Sequence, residues 1–61
     1  MRDTNRIPYV LMSLRALWEQ YPDWRLGQLI NNMQRKFGND LFYIEDDKLI
    51  KMMEQLIKEG F

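Results

Sequence analysis

The sequence contains no cysteine and no histidine, and Ser13 is its only serine. These absences exclude disulfides, ordinary structural zinc sites, thiolate chemistry and catalytic triads that need a histidine base. The three glycines, at positions 27, 38 and 60, are too far apart to form a phosphate-binding loop. We therefore expect a protein that is not an enzyme, with no catalytic residue, no metal site and no cofactor.

Long hydrophobic runs are also missing. No stretch of 18 apolar residues occurs, so the sequence predicts no membrane span. The first ten residues, MRDTNRIPYV, lack the apolar centre and small-residue cleavage site of a secretory signal. We expect a cytoplasmic protein.

The net charge of the chain is zero, but its charged residues are unevenly distributed along the sequence. Residues 1–38 carry six basic and three acidic side chains, whereas residues 39–61 carry three basic and six acidic ones. Domains that bind phosphate backbones usually have an excess of positive charge, so we do not expect nucleic acid to be the partner. The asymmetry favours charge complementarity within the chain or across a dimer.

The sequence is rich in large apolar side chains. Its 61 residues, 46% of them hydrophobic, predict one domain over 1–61 near the lower size limit for independent folding. With no disulfide or zinc to help, stability must come from efficient packing or self-association. We predict a homodimer.

Three segments show the apolar spacing of amphipathic helices, over about 6–21, 24–37 and 46–59. The fold predicted is an all-α, compact three-helix domain. The apolar positions are Ile7, Val10, Leu11, Leu14, Leu17, Trp18 and Tyr21, then Leu26, Leu29, Ile30, Met33 and Phe37, then Leu49, Ile50, Met53, Leu56 and Ile57.

Residues typical of helix ends separate these segments. Asn5 is predicted to cap the first helix and Asp23 the second. Pro22 prevents the first helix from continuing, and Gly38 follows the second as a stop signal. Gly27, inside the second helix, predicts close approach of another backbone.

The third helix has its own end signal. Gly60 suits the position just after a helix, which would bring Phe61 against Leu56.

The segment 41–44 breaks the helical period, and Phe42, Tyr43 and Ile44 favour an extended connector. Two copies could pair as strands only across a dimer. Because so short a segment cannot easily bury both aromatic rings, we expect at least one to be exposed. Phe42, Tyr43 and Ile44 are therefore candidate contacts for a partner or a second copy.

Trp24 is a fourth candidate contact for a partner or a second copy, and its pairing with Arg25 is also of a kind that stacks nucleobases. Trp18, Tyr21 and Trp24 also flank the turn between the first two helices. We predict that they cluster around that turn.

Asp40 and the consecutive acids Glu45, Asp46 and Asp47 offer oxygen ligands of the kind that Mg²⁺ and Ca²⁺ prefer. Their spacing is not that of a calcium-binding EF-hand loop, and consecutive side chains point in different directions. The interpretation that we favour is electrostatic, since acids at the start of a helix stabilise the positive end of its dipole. Divalent ion binding by Glu45–Asp47 stays open at this point.

Three stretches, RDTNRIPYVL, LWEQYPDWRLGQLI and LFYIEDDKLI, resemble a family of small uncharacterised bacterial and bacteriophage proteins with the pattern RDPNRI…W…PDLRLGQLI…FYIEDDEL. The resemblance extends from Arg2 to about Ile57, with Thr4 in place of a proline and Trp24 in place of a leucine. It implies no catalytic or binding residue. Small phage proteins often bind a host protein. The resemblance therefore implies a protein-interaction role and, for a phage-encoded protein, modulation of a host or defence protein.

The second helix, the loop and DDKLIKMMEQLIKEGF also resemble the core of a winged helix-turn-helix domain. The chain stops where the wing would begin, and the charges predicted on the outside of the third helix are mixed in sign. Both features count against DNA recognition. We therefore expect a non-enzymatic protein-interaction module, with a wingless helix-turn-helix nucleic-acid-binding protein as the alternative.

Overall fold

The computed structural model describes residues 3–38 and 40–61, and within them it contains three α-helices and one 3₁₀ turn. Helix α1 spans Arg6–Glu19, α2 spans Leu26–Phe37 and α3 spans Asp46–Glu59, while the 3₁₀ turn spans Leu41–Tyr43. The all-α, three-helix prediction is confirmed. None of the helices in the described residues is long and apolar enough to cross a membrane.

Helices α1 and α3 lie side by side and run in the same direction. At their starts the guanidinium of Arg6 contacts the carboxylate of Asp46. At their ends Gln20 Nε2 donates a hydrogen bond of 3.2 Å to the carbonyl of Ile57. The Arg6–Asp46 ion pair joins the basic half of the chain to the acidic half, as the charge asymmetry indicated.

The core is entirely apolar and draws on all three helices. No polar side chain among the described residues is buried. Each helix contributes at least one residue from its predicted stripe, and α3 also buries Met52, which the stripe did not include. The buried side chains are Leu17, Leu29, Met33, Met52, Met53 and Leu56.

The start of α1 matches the prediction in position but not in its capping bond. Asn5 occupies the cap position, but its side chain accepts no hydrogen bond from the helix. Asp3 forms a turn before the helix, in which its Oδ1 accepts from the N–H of Asn5 at 2.9 Å. The chain therefore enters α1 through a turn over residues 3–6 that is closed by Asp3.

The turn between α1 and α2 is longer than predicted. Because Pro22 disfavours helical geometry at the residue before it, α1 ends at Glu19 rather than at about 21, and Tyr21 N–H bonds back only three residues, to Trp18. Asp23 does not cap α2. The cap position is Arg25, whose N–H donates to Gln28 Oε1 at 2.8 Å.

Two glycines behave differently from each other. Gly38 ends α2 in the left-handed conformation, at φ 68°, which confirms it as a stop signal. Gly27 was predicted to meet another backbone, and this is wrong. A methyl group added there would have no neighbour within 4 Å.

Residues 41–43 form a 3₁₀ turn instead of the predicted extended connector. Asp40 causes the difference, because its Oδ1 accepts from the N–H of Phe42 at 3.0 Å. A side-chain hydrogen bond of this kind stabilises a tight turn relative to an extended strand. Of the predicted segment, only Ile44 keeps extended dihedral angles.

Candidate functional site

The two aromatic side chains of the 3₁₀ turn both point into solvent. Phe42 is 83% exposed and Tyr43 is 78% exposed, the two largest values among the exposed large hydrophobic residues. Their rings contact each other edge to face, with centroids 4.9 Å apart. We call Phe42 and Tyr43 the aromatic pair.

The geometry of the 3₁₀ turn explains why both rings are exposed. With three residues per turn, successive side chains diverge by about 120°. Leu41 packs against the core, so Phe42 and Tyr43 must point outward, and half-buried Ile44 returns toward the protein. A strand would instead have placed Leu41 and Tyr43 on one face and Phe42 on the other.

Three aromatic rings elsewhere form a packed cluster at the α1–α2 turn. Tyr21 stacks on Trp24 at a centroid distance of 4.5 Å. The ring of Phe61 lies 5.2 Å from that of Tyr21 and 5.1 Å from that of Trp24. We call Tyr21, Trp24 and Phe61 the aromatic corner.

Trp18 supports the aromatic corner from α1. Its indole Nε1 donates a hydrogen bond of 2.7 Å to the carbonyl of Trp24. The predicted cluster of Trp18, Tyr21 and Trp24 is therefore present, with Phe61 added from the far end of the chain. Half-buried Trp24 has a structural role here, and its proposed role as a partner contact stays a prediction.

The acidic side chains before α3 are separated by their contacts. Asp46 pairs with Arg6, and Asp47 Oδ1 accepts from the N–H of Lys48 at 2.9 Å. Glu45 occupies the cap position of α3 without a capping side-chain bond. Across residues 3–38 and 40–61, no three acidic side chains lie where they could hold a metal ion together. Asp46 and Asp47 lie in the first turn of α3, as the electrostatic interpretation predicted.

A groove on α1 was not predicted. It has a volume of about 450 Å³ and is mainly apolar. Ile7 and Leu11 were assigned to the core stripe, yet they are 47% and 56% exposed. The signal that could have revealed this is the width of the stripe, because its six apolar positions in α1 exceed what one core-facing side can bury. The groove is lined by Leu11, Leu14, Arg15, Trp18, Glu19 and Pro22.

The outer surface of α3 carries charges of both signs, as the sequence indicated. A helix that reads DNA usually presents a basic surface to the phosphates. The exposed residues on α3 are Asp47, Lys48, Lys51, Glu54, Gln55, Lys58 and Glu59.

The fold and these surfaces define a small all-α three-helix domain that presents the aromatic pair and an apolar groove. Comparison of the chain with protein-family models, curated proteins and solved structures found no match in any of the three.

Proposed function

We propose that this protein is a non-enzymatic interaction module that binds another protein through the aromatic pair. The observation that carries the proposal is the near-complete exposure of Phe42 and Tyr43 on a capped turn. Burial of one aromatic side chain removes about 150–250 Å² from water, and aromatic residues dominate the energetics of many interfaces. Exposing two together costs solubility unless a partner covers them.

The turn also prepares the aromatic pair for binding. The Asp40 side chain fixes the backbone at Phe42, and the two rings already contact each other. Each ring therefore loses less conformational freedom on association than it would on an unstructured loop. Lower ordering entropy means that more of the contact energy appears as affinity.

The surrounding charge indicates the chemistry of the partner. Residues 40–47 contain four acids and no basic residue, although Arg6 neutralises the charge of Asp46. The surface that fits this segment is an apolar pocket with a cationic rim, since complementary charge raises the association rate and the specificity. The resemblance to bacterial and bacteriophage proteins supports a host or defence protein as the first class to screen.

The test compares two variants in the same capture experiment. The double variant Phe42→Ser, Tyr43→Ser removes the aromatic pair, and Met12→Ser removes an apolar side chain of 66% exposure on α1 as the matched control. We expect specific partners to be captured by the wild-type protein and by Met12→Ser, and to be lost with the double variant.

A captured partner is then purified and its affinity measured by calorimetry. We expect the double variant to bind at least 30-fold more weakly, which corresponds to about 2 kcal/mol and one hot-spot residue. Equal affinity of the double variant and the wild-type protein would place the interface elsewhere. Binding that does not weaken as salt is raised from ~50 to ~500 mM would contradict the cationic rim.

The alternative, a wingless helix-turn-helix, is tested by a mobility shift on random duplex DNA. Mixed charge on α3 weighs against it. A shift at micromolar protein that weakens steeply with salt would favour it over the interaction module.

A further inference from the structure

The apolar surface of helix α1 extends beyond the side that the core covers, although Leu14 and Trp18 also pack against the core. Ile7, Leu11, Leu14 and Trp18 follow each other at intervals of four, three and four residues. We call these four residues the seam, which follows one side of the helix. Leu17 is fully buried on the core side, whereas Leu11 on the seam is 56% exposed. Leu11, Leu14 and Trp18 of the seam form the floor of the apolar groove on the flank of α1.

The rim of the groove carries one cation and one anion. Arg15 Nε contacts Glu19 Oε2 at 3.3 Å, and both side chains are largely exposed. They lie one helical turn apart, on either side of the middle of the groove. A rim of this kind is complementary to itself, because a two-fold axis through its middle exchanges the positions of the two charges.

We infer that a second copy of this chain docks in the groove, with the two α1 helices antiparallel. In this arrangement Leu14 of one copy meets Trp18 of the other, and Leu11 reaches toward the far end of the groove. Arg15 of each copy then lies within reach of Glu19 of its partner. The proposal goes beyond the protein-binding function, because it uses neither Phe42 nor Tyr43.

The extent of the seam sets the strength of the dimer. A helix of 14 residues is about 21 Å long, so its flank buries less than the roughly 800 Å² per partner of a standard stable interface. We therefore expect a reversible dimer with a Kd weaker than about 1 μM. Sedimentation equilibrium over a wide concentration range measures it directly.

The first test changes the floor of the groove. Leu11→Glu introduces a charge into the seam and is expected to make the protein monomeric at concentrations at which the wild-type protein dimerises. Met12→Glu, next to it on α1 and 66% exposed, is the matched control and is expected to leave dimerisation unchanged. Circular dichroism shows whether both variants keep their helices.

The second test exchanges the rim charges. Arg15→Glu gives a rim with two anions, and Glu19→Arg gives a rim with two cations, so each variant alone is expected to dimerise at least fivefold more weakly at low salt. An equimolar mixture is expected to regain association as a mixed dimer, because each anionic rim then meets a cationic one. The double variant Arg15→Glu, Glu19→Arg restores self-complementarity and is expected to dimerise like the wild-type protein.

Three results would overturn the proposal. The first is a strict monomer of the wild-type protein at ~1 mM, and the second is a dimer that survives Leu11→Glu. The third is a mixture of the two rim variants that associates no better than either variant alone. A dimer lost on Phe42→Ser, Tyr43→Ser and kept by Leu11→Glu would move the self-association surface to the aromatic pair.

Discussion

The aromatic corner and the aromatic pair contain similar side chains in opposite surroundings. In the corner, two rings from the α1–α2 turn pack against a third, from residue 61, and against the core. In the pair, two sequence neighbours contact mainly each other and remain exposed. The difference teaches that an aromatic residue stabilises this fold only where tertiary partners cover it, so the uncovered pair is available for another role.

The largest expected effect comes from removing the central ring of the aromatic corner. Trp24→Ala leaves a cavity beside Tyr21 and Phe61 and is expected to lower the free energy of unfolding by about 3 kcal/mol, the lower end of the range for such truncations. A domain of this size has a total stability of only about 3–9 kcal/mol. Urea denaturation measures the loss. Trp24→Phe, which keeps a ring in place, should cost clearly less, and equal losses for the two variants would mean that ring packing is not what matters there.

A smaller loss of stability is expected from a substitution at Gly60, where the backbone directs Phe61 into the aromatic corner. Gly60 has φ 81° and ψ 175°, a region that is almost restricted to glycine. A methyl group there would also lie 3.4 Å from Tyr21 Oη. Gly60→Ala is expected to destabilise the protein by about 2 kcal/mol, within the usual range for such strain.

Gly38→Ala is the control for Gly60→Ala. Gly38 has a positive φ, but the added methyl group would lie in open space. The substitution therefore measures the cost of backbone strain without any change in packing. A cost for Gly38→Ala that exceeds the cost for Gly60→Ala would show that the aromatic corner does not depend on Gly60.

A substitution at Gly27 is expected to raise the stability instead of lowering it. Gly27 lies on the exposed side of α2 with nothing near its missing side chain. Gly27→Ala is expected to stabilise the protein by about 0.5–1 kcal/mol, because alanine loses less backbone entropy in a helix. The melting temperature should rise by about 3–6 °C. A fall would indicate a contact at Gly27 that the isolated chain does not make.

The smallest effect on stability is expected at the aromatic pair itself. Exposed substitutions usually change the free energy of unfolding by less than about 0.5 kcal/mol. Phe42→Ser, Tyr43→Ser should therefore melt within a few degrees of the wild-type protein, even though it is expected to lose the proposed partner. A loss comparable to that of Trp24→Ala would show that the pair belongs to the core and would remove the basis for the interaction surface.

Local features were predictable where local physics decides them. The bounds of α3 and the end of α2 match the prediction, because apolar periodicity and Gly38 act within a few residues. The start of α1 at Arg6, with Asn5 in the cap position, also matches, although the Asn5 side chain makes no capping bond. The start of α2 was less accurate, because the cap was assigned to Asp23 whereas Arg25 occupies that position.

The sequence predicted where in the chain the candidate site lies, but not the backbone conformation of that segment. Phe42 and Tyr43 were recognised because they break the helical period, but a strand and a 3₁₀ turn expose different residues. Whether the segment forms a strand or a 3₁₀ turn depends on the Asp40 side chain and on whether Leu41 can pack against the core. The α1 groove was missed for a related reason, since the six apolar stripe residues of α1 do not reveal which of them the other helices cover.

The sequence by itself determined an all-α chain of three amphipathic helices and a chemistry without histidine or cysteine. These follow from composition and from periodicity, which act along the chain. The tertiary structure alone decided that Phe61 completes the aromatic corner, that Phe42 and Tyr43 are both exposed, and that Leu11 faces solvent. The physical reason is that burial depends on which surfaces meet in space, and a helix exposes whatever apolar width its neighbours do not cover.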